Sequence, residues 1–252
     1  MEQLDQRSRA PSSLGSHERP GVDMTRTTNA RIAGFTYLFY AAIGICSELL
    51  MHQARGSDGD AAKLARIGQY ATNVRLTILI VLLESLSAIV LGVTLYGITR
   101  DEDHELAMLA MACRVAEGIL GTLNIPSYLG LLWLAKAGVG TGAPDIPTTN
   151  ALRAFLLMPG ASVPIGSIFF AVGNTIFSWL LLRGRMVPVS IAWLGVFASG
   201  LLAVALPLQL AGFPTGPLSG YTQWLPALVF QVAIALWLLI KGVATPARGQ
   251  PA

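Results

Sequence analysis

Residues 76–98 read LTILIVLLESLSAIVLGVTLYGI. As a helix rising about 1.5 Å per residue, a run of this length crosses the roughly 30 Å hydrocarbon core of a bilayer. Arg75 stands at one end of the run, and Arg100 with the acidic stretch Asp101 to Glu105 stands at the other. One carboxylate, Glu84, interrupts it.

The rest of the chain has the same character. Of its 252 residues, 53% are hydrophobic and only 12% are charged, whereas soluble domains carry about 25% charged residues. The mean hydropathy is +0.59. Five further apolar runs approach bilayer length: Ile32–Met51, Leu106–Leu134, Ala161–Leu182, Val189–Ala211 and Trp224–Ile240. The expected fold is therefore all-α, a polytopic transmembrane bundle of six spans over residues 29–243. A disordered cytoplasmic tail is expected over residues 1–28 and a short C-terminal tail over residues 244–252. Met24 is a second plausible start, because two arginines lead from it into the first apolar run.

Punctuation between the runs sharpens this reading. Pro126 after Asn124 predicts a kink in span three, since proline lacks the N–H and clashes with the carbonyl four residues back. Pro188 suits the first position of span five. Asp60 opens a short helix, DAAKLARIGQYATNVR, at the interface. The apolar piece Leu152–Met158 is too short to span and reads as an interfacial half-turn. Tyr221 and Trp224 fit an aromatic belt. Ten basic residues lie outside the spans on the side of the termini and six on the other. That bias places both termini in the cytoplasm. A start at Met24 would remove three of the ten.

Glu48, Glu84, Arg114 and Glu117 are ionisable residues within spans, and each costs roughly 2.5 to 3.5 kcal/mol at a helix centre. Such residues face the bundle interior and pair. Glu84 lies about 12 Å from one membrane face and Glu117 about 17 Å from the other, so their depths nearly coincide. Arg114 and Glu117, three residues apart, share a helix face, and a tight turn makes spans two and three neighbours. The expectation is a cluster of Glu84, Arg114 and Glu117 near the midplane. Two carboxylates against one guanidinium leave one negative charge, relieved by a proton or a cation. Two readings stay open: an ion-pair network that fixes helix register, or a site for a small ligand, proton or cation. Glu48 is expected to pair with Arg75, and Asn124 and Asn174 to bond between helices.

Other chemistries lack their residues. His17, His52 and His104 are scattered without metalloprotease spacing, and the GVGTG stretch after Ala137 lacks the strand and lysine of a P-loop. Cys46 and Cys113 sit in apolar runs, where neither a disulfide nor a metal site is expected. The acidic run 101–105 reads as a solvated loop and helix N-cap. No GxSxG nucleophile motif and no repeat between halves is present, so an enzyme is the weaker reading. No cofactor and no nucleic-acid partner is implied; the expected partner is the lipid bilayer.

Four stretches carry a resemblance: TTNARIAGFTYLFYAAIGICSELL (27–50), VRLTILIVLLESLSAIVLGVTLY (74–96), CRVAEGILGTLNIPSYLGLL (113–132) and SWLLLRGRMVPVSIAWLGVFASGLL (178–202). In order and spacing they resemble the bacterial family called domain of unknown function 4386, over about Met24 to Val243. The tokens are the ARIAG opening, Glu48, Arg75 and the series Arg114, Glu117 and Asn124. The resemblance implies a multi-pass protein of the bacterial inner membrane and adds no mechanism. The residues themselves leave a permease-like or sensor-like role beside a structural or partner-binding one.

Overall fold

The computed structural model describes residues 20–56, 60–137, 146–156, 165–213, 215–216 and 220–244. Nine α-helices occur among them: α1 (Pro20–Arg55), α2 (Asp60–Gln69), α3 (Ala71–Thr99), α4 (His104–Gly121), α5 (Asn124–Ala137), α6 (Ile146–Leu156), α7 (Ile165–Arg183), α8 (Val189–Leu210) and α9 (Leu225–Ile240), with a 3-10 turn Gly220–Trp224 before the last. No strand occurs among the described residues. Six helical stretches are long and apolar enough to cross a membrane, with α4 and α5 counted as one. This is a helical membrane protein.

The membrane-length helices close into a ring. α1 lies along α3 and α9, α3 along α4, α4 along α7, α7 along α8, and α8 along α9. On α3, Leu76, Leu79, Leu83, Leu86, Val90 and Val93 are exposed. Their alternating spacing of three and four residues marks one helical face, turned to lipid. The opposite face, with Val81, Ser85, Ala88, Leu91 and Leu95, is buried against the ring. Between α3 and α4 the approach is close enough to require glycine. A Cβ on Gly118 would stand 2.7 Å from the carbonyl oxygen of Ser85, and one on Gly92 would stand 2.9 Å from Cβ of Arg114. Small residues at such crossings let backbones touch where lipid gives helices no hydrophobic reason to associate.

Apolar packing falls into three cores, one of which joins Phe170, Leu202, Leu206 and Ala227 of α7, α8 and α9. Toward the termini, Tyr37, Leu95, Phe177, Phe230 and Ile234 belong to another. At the other end Met51, Ala54, Ile67, Val74 and Leu131 form the third, in which α2 and α5 cover the ends of α1 and α3. α2 is held there by Arg66, whose guanidinium donates to the carbonyl of Gln53 at 3.2 Å.

Three boundaries differ from expectation. α1 is helical from Pro20, so residues 20–28 are helix and not tail; Arg26 ties this turn down by donating to the carbonyl of Ile98 at 2.7 Å. Residues 1–19 and 245–252 lie outside the described residues, as does the GVGTG stretch. The interfacial half-turn is a helix of 11 residues, α6. Span four is described from Ile165; its expected start, over residues 161–164, lies outside the described residues. Span three does not merely kink. α4 ends at Gly121 and α5 begins at Asn124, joined by bonds from Thr122 N–H to Ile119 C=O and from Leu123 N–H to Leu120 C=O. The break sits where proline chemistry puts it, because Pro126 can neither bond the carbonyl of Thr122 nor pack against it in a regular helix. The interruption redirects the chain: α4 lies along α7, whereas α5 lies along α2, α3 and α6.

Candidate functional site: a charged cavity at the break in span three

α4 delivers both of its charged interior residues to the middle of the ring. Arg114 is completely buried, and its Nη1 lies 2.6 Å from Oε2 of Glu117. The two are one turn apart, so helix geometry alone makes them meet. The contact is not aligned as a hydrogen bond, and Arg114 Nε and Nη2 find no acceptor among the described residues. The guanidinium lies instead against aromatic faces, 5.4 Å from the ring centre of Tyr40 and 5.2 Å from that of Phe170. Those rings stabilise the cation through their quadrupoles. Tyr40 adds a second link, donating its hydroxyl to Oε1 of Glu117 at 2.7 Å and so joining α1 to α4.

Glu84 sits across the same cavity. With Tyr40, Ser85, Glu117, Asn124 and Ser167 it lines an inner chamber of about 110 Å³, room for a few waters at about 30 Å³ each. It also lines an outer chamber of about 480 Å³, whose walls include Glu48, Tyr128, Phe170, Trp224 and Gln231. The walls of the outer chamber come from α1, α3, α5, α7 and α9 with the turn before α9. Tyr40, Val81, Glu84, Asn124 and Ser167 belong to both walls, so the two volumes adjoin at Glu84.

The expected three-residue cluster is thus a pair with a neighbour. Glu84 makes no ion pair with Arg114 among the described residues; its carboxylate lies toward Gly44 on α1. The rotation of α3 explains this, since Gly92 and not Glu84 is the residue packed on the stem of Arg114. Glu48 lines the outer chamber, while Arg75 is exposed on the lipid-facing side of α3 and makes no ion pair among the described residues. Their expected bridge does not form. Asn124 bonds within the break, donating to the carbonyl of Gly121 at 3.3 Å, and lines both chambers.

Asn174 lies deeper. Tyr37 donates its hydroxyl to Asn174 Oδ1 at 2.8 Å, and Asn174 Nδ2 donates to the Ser199 hydroxyl at 2.8 Å. This chain ties α1, α7 and α8 together through three fully or almost fully buried side chains. Tyr37→Phe should cost about 1 kcal/mol of unfolding free energy, and Asn174→Ala more, because it strands two hydroxyls. Chemical unfolding in detergent measures both, and equal, negligible effects would contradict a closed network.

The acidic run beside α4 is an anchoring point at the membrane edge. Asp103 caps α4 by accepting from Leu106 N–H at 3.1 Å, and Arg183 bridges Glu102 at 3.1 Å and Asp103 at 3.3 Å. Among the described residues no three of His, Cys, Asp and Glu are grouped to hold a metal ion.

Sequence reasoning missed Tyr37, Tyr40 and Phe170. A usable signal was present in FTYLFY, where two tyrosines three residues apart put two hydroxyls on one face of an otherwise apolar span.

Residues 32–242, which include every residue of the cavity, match the family described as Domain of unknown function (DUF4386). The chain belongs to that family. No curated protein and no solved structure matches it. Glu84, Arg114, Glu117 and the break at residues 122–123 all lie within the DUF4386 match, whereas the first turns of α1, including Arg26, lie before it.

Proposed function

We propose that this DUF4386 protein is a membrane-embedded binding protein, permease-like or sensor-like, whose site for a small ligand, proton or cation is the cavity around Glu84, Arg114 and Glu117. The observation that carries this reading is the place of Glu84, at the wall common to both chambers. Arg114 is committed to Glu117 at 2.6 Å, so the carboxylate of Glu84 is the charge left over. A carboxylate kept inside a membrane bundle at a cost of roughly 2.5 to 3.5 kcal/mol is most economically explained by use. We place the protein in a bacterial inner membrane with both termini in the cytoplasm, supported by the excess of basic residues on that side.

The rival reading, a structural or partner-binding protein in which the charges only orient helices, draws support from the Tyr40 to Glu117 bond between α1 and α4. It does not account for Glu84. The deciding measurement is thermal unfolding of the purified chain across pH and across sodium concentration, comparing the native protein with Glu84→Gln and Glu117→Gln. If Glu84 belongs to a site, Glu84→Gln removes a pH- or sodium-dependent change in Tm without lowering the maximal Tm. Unchanged profiles in both variants would sink the reading.

A further inference from the structure

We propose that the outer chamber takes a small organic cation, a molecule with a protonated amine at one end and an apolar body about the size of an aromatic ring at the other. The proposal rests on reading the Glu84 cavity as a ligand site and names the class of ligand.

Charge comes first. The carboxylate open to this chamber is that of Glu84; Glu48 also lines it, and among the described residues no lysine or arginine does. The nearby cation, Arg114, is fully buried, is neutralised by Glu117 at 2.6 Å and stands behind the rings of Tyr40 and Phe170. Glu84 makes neither an ion pair nor a hydrogen bond among the described residues, so its oxygens are open to a donor. A carboxylate in a medium of low dielectric attracts a cation far more strongly than in water.

The walls then favour an organic cation over a bare metal ion in this chamber. Hard cations need six or more oxygen ligands at about 2.0–2.6 Å, whereas much of this surface is carbon from Ala41, Ile45, Phe170, Ala227 and Leu228. Its volume of about 480 Å³ falls in the range of roughly 300 to 1,000 Å³ typical of small-molecule sites. Tyr40, Tyr128, Phe170 and Trp224 supply aromatic faces, which favour an ammonium group and accept an apolar body equally well. Asn124 and Gln231 offer amide oxygens for its remaining N–H groups. The rim includes Ile45 and Leu225, exposed on the second half of α1 and the first turn of α9. An amphiphilic amine can therefore enter from within the bilayer.

The test uses the full chain in detergent and three probes of similar shape: phenethylammonium, the neutral 3-phenylpropanol and the anion phenylacetate. Phenethylammonium should raise Tm saturably, as any ligand of the folded state does, and the other two should not. In Glu84→Gln the half-saturating concentration should rise about 10- to 100-fold, the loss expected for one charge-assisted contact. Gly44→Val provides an independent check should Glu84→Gln fold poorly. A Cβ at Gly44 meets only Oε1 of Glu84, at 3.8 Å, so the first added carbon has room, and the valine methyls beyond it should fill the chamber and abolish the response. Equal stabilisation by the neutral probe, or an amine response undiminished in both variants, overturns the proposal. If sodium or pH acts through Glu84 while the amine does nothing, the organic cation is wrong and the ion-site reading stands. If none of the three acts through Glu84, both fall.

Discussion

Arg114→Ala should destabilise the folded bundle by about 3 to 5 kcal/mol, the usual consequence of removing one partner from a buried ion pair. Arg114 is fully buried and its side chain is the counter-charge 2.6 Å from Glu117. Truncation leaves that carboxylate with the Tyr40 hydroxyl alone and empties the space against Phe170. The double replacement of Arg114 by Met and Glu117 by Leu should recover most of the loss, because it removes both charges and refills the volume. Glu84→Gln, which breaks no ion pair, should stay within about 1 kcal/mol of the native protein. Denaturant unfolding in detergent reads all three. A double variant no better than Arg114→Ala would mean that the pair contributes more than mutual neutralisation; a Glu84→Gln loss as large as that of Arg114→Ala would mean that Glu84 is structural.

The order of these effects follows from features of unequal visibility in the sequence. The spans were legible because hydrocarbon thickness sets a length and lipid leaves no alternative to the helix; residues 76–98 announce themselves, and α3 adds only a few residues at the start. The Arg114 and Glu117 contact was legible because three residues along one helix is local geometry. For Glu84 the sequence offers a depth but no rotation. Depth counts residues from a boundary, whereas rotation depends on which face of α3 meets α4, and that is decided by Gly92 and Gly118. The same limit hid Phe170, which looks like an ordinary apolar residue until three helices converge, and hid the partner that the Tyr40 hydroxyl would meet. Pro126 marked an irregularity correctly, yet only packing reveals its consequence, an α5 that lies along α2, α3 and α6 and brings Asn124 and Tyr128 to the chamber wall. The tail reading erred at Pro20–Thr28 because polar composition argues for solvent, and the bond from Arg26 to Ile98, across 72 residues, is invisible to composition.

Glycine supplies the second large effect. Gly118→Leu should destabilise the bundle by about 3 kcal/mol or more, at or beyond the upper end for overpacking. Its first added carbon would meet the carbonyl oxygen of Ser85 at 2.7 Å and Cγ1 of Ile89 at 3.2 Å. The Ile89 side chain can turn aside, but the Ser85 carbonyl is backbone and moves only if α3 moves. Displacing α3 from α4 also disturbs the Gly92 contact with Arg114 and shifts Ser85 and Glu84 away from Glu117 on the inner chamber wall. Gly200→Ala is the control within the same fold. An added Cβ there meets nothing within 4 Å, and alanine is favoured over glycine in a helix by up to about 1 kcal/mol, so stability should hold or rise. Denaturant unfolding of the two variants beside the native protein measures the difference. Similar losses at Gly118 and Gly200 would show that glycine matters here for chain flexibility and not for close approach. A large loss confined to Gly118 would establish that the α3 and α4 seam sets the distance across the charged cavity, and therefore that the position of Glu84 opposite Glu117 is a property of backbone packing and not of attraction between their side chains.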